Sequence, residues 1–160
     1  MDSQSQLDSL ETWASTLLAK LDPAARRAVM RDIARELRRS QQARIAAQRN
    51  PDGSAYEPRK PRLKSGTKKL RGKRGRIKRS AMFSKLRTTR YMRIEADANG
   101  LAIGFIGRVA RIARVHQFGE TDHVAPGGPE YRYPARELLG FTRDDRELIR
   151  DMLLKHISHD

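Results

Sequence analysis

The 160-residue chain has no cysteine. That absence excludes disulfides, thiolate nucleophiles and cysteine-ligated metal sites, and it fits assembly in a reducing cytoplasm. No apolar run approaches the roughly 20 residues that cross a bilayer, so no membrane association is expected. The opening stretch, MDSQSQLDSLETW, lacks the basic start and apolar middle of a secretion signal. The chain is expected to be soluble and unprocessed. Hydrophobic residues make up only 38%, enough for a small core. Much of the chain is therefore expected to be exposed or packed on other subunits.

Acid is missing from one long segment. Residues 58–93 hold 16 Lys and Arg and no Asp or Glu, which leaves 18 bases against 19 acids elsewhere. The net charge of +15 thus resides in that one segment. Such a block repels itself, resists compact folding and suits a polyanion or an acidic protein surface. The candidate contacts are Arg59, Lys60, Arg62, Lys64, Lys68, Lys69, Arg71, Lys73, Arg74, Arg76, Lys78 and Arg79. Rings that could stack on bases are few there: Tyr56, Phe83 and Tyr91. No base-reading motif is present, so contact with DNA or RNA would be sequence-independent. An arm that orders on an acidic protein partner explains the same residues.

Elsewhere the periodicities are clear. Leu7, Leu10, Trp13, Ala14, Leu17, Leu18 and Leu21 recur at helical spacing and predict an amphipathic helix over residues 5–21. Asp22-Pro23 predicts a cap and the first position of a second helix. That helix is expected to run to about Gln48 with Ala25, Val29, Ile33, Leu37 and Ile45 as its stripe. Asn50-Pro51-Asp52-Gly53 is turn chemistry. A short helix is expected over residues 80–86, anchored by Met82, Phe83 and Leu86. Residues 91–96 and 101–106 read as strands around an Asn99-Gly100 turn of positive φ, which makes a hairpin. Residues 108–118 read as a helix with Val109, Ile112, Ala113 and Phe118 sharing its buried face and Val115 beside it. Gly119 is placed for a left-handed end. Thr142, with Asp145 three residues on, predicts the cap of a last helix with Leu148, Ile149, Met152, Leu153 and Ile157 inward.

The expected class is α+β: N-terminal helices, a central hairpin extended to a small antiparallel sheet, and C-terminal helices. A lone hairpin is marginal in water, so partner strands are expected from loops such as EYRYP or from a neighbouring subunit. Three regions follow: a helical region at 1–49, a basic Gly/Pro-rich arm at 50–79, and an α+β core at 80–160 with hairpin 90–107 and helix 142–158.

Histidine is the only candidate catalyst of note. His116 as a general base would need a nucleophile and an orienting acid, and no spacing marks either. The simpler reading is a histidine at a helix C-terminus, where the dipole favours its charge and its ring bonds the last carbonyls. His116 with His123, and His156 with His159, lack the further ligands of a metal site. Glu95 with Asp97, and Asp144 with Asp145, are explained by strand and helix-start positions. No metal or cofactor is expected.

IARVHQFGE, the following Gly/Pro loop and YPARELLGFTRDDRELIRDMLLKHI together resemble phage virion-morphogenesis proteins. These are the tail-completion proteins of contractile-tailed phages, of the S type and the phage Mu G type. The upstream RIAAQRNPDGSAYEPRK is similar to that family's middle section, and the resemblance spans residues 7–157. It implies a structural virion protein, assembled in the host cytoplasm, acting at the head-proximal end of the tail. It implies no catalysis and no cofactor. Homo-oligomeric rings, commonly hexamers, are implied, with tail tube or sheath and neck or connector proteins as partners and incidental contact with genomic DNA. The motif residues are His116, Gln117, Phe118, Gly119, Pro134, Arg136, Leu139 and Gly140, to which a structural role is given, with Phe118 expected in the core. A sequence-independent nucleic-acid-binding protein using residues 58–93 is the alternative.

Overall fold

A computed structural model describes residues 3–59 and 81–158. Four helices and two antiparallel hairpins make up these residues, in the α+β class expected.

Helix α1 (Ser3–Leu18) ends in a turn that buries Leu21. Helix α2 (Pro23–Ala46) starts where the Asp22-Pro23 pair predicts. Asp22 Oδ1 accepts the amides of Ala24 at 2.7 Å and Ala25 at 3.0 Å, donors the helix start would otherwise leave open. Those two amides hold the Asp22 carboxyl below the usual carboxylate range. At the far end Gln48 turns left-handed, φ 59°, and closes the helix. The Asn50–Gly53 turn follows, with Gly53 N donating to Asn50 O.

Helix α2 is the axis of the molecule. Val29, Ile33 and Leu37 meet Leu21 and Leu153 in one apolar cluster. Ile45 reaches a second cluster with Tyr56, Met82, Phe83, Met92, Ala113 and Leu138. Ile103 packs against both. Each such aliphatic side chain, fully buried, contributes about 1.5–3 kcal/mol.

Strands β1 (Met92–Ala96) and β2 (Leu101–Phe105) pair with Ala96 opposite Leu101 and Met92 opposite Phe105. The turn differs from expectation. Neither Asn99 nor Gly100 is left-handed. Asp97 does the work instead: Oδ1 accepts from Asn99 N and Gly100 N, and its own amide donates to Gly100 O. The strand expected from EYRYP does form. It is β4 (Glu130–Arg132), and it pairs with β3 (Thr121–His123) in a second hairpin, so the sheet is divided in two.

Two local expectations are corrected. Residues 81–90 form successive turns and no helix, because Phe83 adopts a left-handed φ of 64°. Met82, Phe83 and Leu86 are buried nonetheless. Helix α3 (Val109–Phe118) ends at a left-handed Gly119 as predicted, but its buried face is different. Val109, Ala113, Val115, His116 and Gln117 turn inward, while Ile112 is 46% and Phe118 is 69% exposed. Phe118 is therefore on the surface and not in the core. Two polar side chains take the inward positions because each is matched to a polar partner there.

Helix α4 (Arg143–Ile157) carries the full capping box: Thr142 Oγ1 accepts from Asp145 N, and Asp145 Oδ2 accepts from Thr142 N. Leu153 is its fully buried apolar residue, flanked by Leu148, Ile149, Met152 and Ile157.

Candidate functional site, a clamped segment and an aromatic groove

Residues 136–140 run between β4 and α4 without belonging to a strand, and their backbone polar groups must still be satisfied. Side chains from three elements do this. Gln117 Oε1 accepts from Leu138 N at 2.8 Å and Leu139 N at 2.9 Å, while its Nε2 donates to Leu139 O at 2.8 Å. Asn50 Oδ1 accepts from Glu137 N at 2.9 Å. Gln41 Oε1 accepts from Gly140 N at 3.2 Å. Arg136 N donates to His116 O at 2.7 Å.

Arg44 supplies donors from below. Its Nη1 donates to Glu137 O and Arg49 O, and its Nη2 to Leu138 O and Gln41 Oε1. Burial lowers its pKa from the ordinary arginine value, and Tyr56 and Asp145 offset this. Gln41 also donates to Asp145 Oδ2 at 3.3 Å, which ties α2 to the cap of α4. Leu138 can then sit fully buried between these polar groups. Gly140 is required by proximity, since a Cβ there would stand 2.5 Å from Pro51 Cγ. A Cβ on Gly119 would stand 3.1 Å from Ala135 N.

Arg136, 4% exposed, forms the second anchor. Its Nε donates to Glu57 O at 2.7 Å, its Nη2 to Pro58 O at 3.3 Å, and its Nη1 to His116 Nδ1 at 3.2 Å. His116 is thus an acceptor on Nδ1. Burial, then the Arg136 and Arg59 charges, push its pKa down to about 4. The expectation of a charged ring on the last carbonyls is corrected: the ring is neutral at pH 7 and faces a guanidinium.

Five rings form a continuous edge-to-face series here. Tyr56 meets Phe83, Phe83 meets His116 at 4.8 Å, His116 meets Tyr133 at 5.0 Å, and Tyr133 meets Tyr131 at 4.9 Å. Four of them, Phe83, His116, Tyr133 and Tyr131, border a groove of about 350 Å³ that Pro134, Arg59 and Met82 also line. Of the predicted basic contacts, Arg59 alone is described, at the rim of this groove. Lys60, Arg62, Lys64, Lys68, Lys69, Arg71, Lys73, Arg74, Arg76, Lys78 and Arg79 lie outside the described residues.

Of the motif residues, His116, Gln117, Gly119, Arg136, Leu139 and Gly140 converge on this clamp, Pro134 lines the groove, and Phe118 points away. Sequence reasoning missed Gln41, Arg44 and Leu138, and it read Asn50 only as a turn residue and Tyr56 only as a stacking ring. One signal was available: Gln41 and Arg44 occupy inward positions of α2, between Leu37 and Ile45. Among the described residues, no cluster of three His, Asp or Glu side chains could hold a metal ion, and no helix is long and apolar enough to cross a membrane. His123 bonds Gly128 O, His156 lies 3.8 Å from Asp32, and His159 is outside the described residues.

The side chains gathered here hold a segment of the fold in place, a structural arrangement. Residues 5–158 match the phage virion morphogenesis family, and the chain belongs to it. Among its relatives is tail completion protein S of Escherichia phage P2, 40% identical over 143 residues, 89% of this chain and 91% of the relative. No solved structure matches the chain.

Proposed function

We propose that the chain is a structural protein of tail completion, a ring subunit at the head-proximal end of the tail that enables head–tail joining. The observation that carries this is its 40% identity, across nearly the whole length of both chains, to a tail completion protein. No catalytic step belongs to this reading. The exposed Phe118, Val124, Leu154 and Ile112 suit it, since apolar surface of this kind marks contact sites. In this reading the ring is a homo-oligomer, a hexamer by the family resemblance, and it meets tail tube or sheath and neck proteins. The motif residues serve the fold that presents this surface. Pro58, Arg59, Met82 and Phe83 of the basic segment 58–93 line the aromatic groove, and in this reading the segment meets acidic surfaces of tail or neck proteins, with genomic DNA as a further contact.

Purified full-length protein is expected to form rings or discrete oligomers, alone or with tail proteins added, in light scattering and negative-stain micrographs. A strict monomer under both conditions contradicts the ring. Tight, salt-sensitive binding to unrelated duplexes, with tail assembly normal in its absence, would favour a nucleic-acid-binding protein instead.

A further inference from the structure

Among the described residues the β1–β2 hairpin is a two-stranded sheet, and no further strand pairs with either edge. Ile106 N donates to Tyr91 O and Asp97 N to Gly100 O. These bonds fix which residues of the ladder point inward, and Ile94 and Ala96 on β1 and Leu101, Ile103 and Phe105 on β2 then point their backbone groups outward. Among the described residues none of these outward groups has a hydrogen-bond partner. A sheet of two strands is marginal, and open edges are templates for pairing.

We propose that successive copies of this chain join head to tail through these edges, β2 of one copy alongside β1 of the next. The proposal rests on the ring reading above and names its joint. One hairpin offers two different edges, so each contact leaves a further edge free. Such a heterologous contact closes into a ring or runs on as a filament. The strand directions alternate, so the joint is antiparallel like the hairpin itself.

The flanks of the two edges are complementary in charge. Beside Leu101, at the start of β2, a groove is lined by Asp8 and Glu11 of α1, both exposed. Arg27, Arg31 and Arg38 recur along α2 on the flank of Ile45, which packs with Met92 of β1, and away from Val29, Ile33 and Leu37, which face α4. None of the three forms a salt bridge among the described residues. Antiparallel joining brings the Leu101 end of one copy to the Ala96 end of the next, and so acids to arginines. On the exposed sheet face Arg93 and Glu95 of β1 stand beside Gly104 and Ala102 of β2, long side chains against small ones. At the other end of β2, Phe105 and the exposed Phe118 line a shallow apolar groove that the neighbour would cover.

A chain without cysteine allows a direct test. Glu95→Cys and Ala102→Cys are made in separate full-length proteins, because the two positions face each other within one hairpin. An equimolar mixture is oxidised at a concentration where light scattering shows oligomer. The expected result is a 95–102 covalent dimer several-fold above the dimer in either protein alone. Oligomer without that enrichment overturns the edge pairing and leaves the ring standing. Dimer from Glu95→Cys alone also overturns it, as two-fold β1–β1 pairing. Monomer at every concentration overturns the joint and the ring together. The flank is tested by Glu11→Arg and Arg31→Glu. Each is expected to weaken assembly at least ten-fold with the circular dichroism unchanged, and the two together in one chain are expected to restore it. Failure of the pair to restore assembly contradicts the charge match.

Discussion

Gln117 holds Leu139 by both backbone groups. The amide oxygen accepts from Leu139 N and from Leu138 N, and the amide nitrogen donates to Leu139 O. One side chain on α3 thereby replaces the strand that the 136–140 segment lacks. Gln117→Leu keeps the volume and leaves three backbone groups without partners. A loss of about 2–4 kcal/mol is expected, read as a lower urea midpoint at unchanged slope. Gln117→Glu keeps the acceptor and is expected to lose less. Equal stability of Gln117→Leu and wild type would show that the bonds contribute nothing.

Gly140 and Gly119 are needed for different reasons. Gly140→Ala drives a methyl to 2.5 Å from Pro51 Cγ, part of a rigid ring. Gly119→Ala must hold φ at 65° with Ala135 N at 3.1 Å. Each is expected to cost roughly 1–3 kcal/mol. Gly104→Ala, with open space at its Cβ, is expected to stay within about 0.5 kcal/mol. Thermal melts of the three variants separate close approach from general sensitivity.

His116 gives stability a defined pH dependence. Its folded pKa of about 4 lies below the ordinary histidine value of 6.5, so between these values the unfolded chain takes up a proton that the folded chain refuses. Its contribution is complete above pH 6.5 and is lost as pH falls toward 4. For a half-buried ring, discounted for screening, the loss is on the order of 1–2 kcal/mol. Urea midpoints at pH 7.5 and pH 4.5 measure it. His116→Phe is expected to be less stable at pH 7.5, through loss of the Arg136 bond, and to lack this component of the decline. An unchanged pH slope in that variant would remove His116 as its source.

The elements legible in sequence are those fixed by near neighbours. The Asp22 cap, the Thr142–Asp145 box, the hairpin and the Gly119 helix end each depend on residues within a few positions. The clamp was not legible, because Arg44 and Leu138 meet 94 residues apart and through a carbonyl, which carries no residue signature. Counting apolar residues also misassigned α3. It places Phe118 inward, whereas His116 and Gln117 hold the inward positions with polar partners. Phe83, at a left-handed φ, ended the short helix expected around it, a choice set by packing against Tyr56 and His116.

Phe118 separates fold from function. At 69% exposure, Phe118→Ser is expected to leave the melting temperature within about 2 °C and to reduce assembly into particles. Loss of stability without loss of assembly would return the residue to a folding role.

The basic segment is tested apart from the fold. Lys68, Lys69, Arg71, Lys73 and Arg74 changed together to Gln are expected to leave the unfolding midpoint unchanged and to weaken salt-sensitive binding to an acidic partner or duplex. Full retention of tail assembly by this variant would show that the arm is not required for it.

The central claim is that this chain completes tails so that heads can join them. Electron micrographs of particles made without it test this most directly. The expected picture is filled heads apart from tails whose length or head-proximal end is abnormal, corrected when the protein is supplied. Whole, infectious particles formed in its absence would contradict the claim.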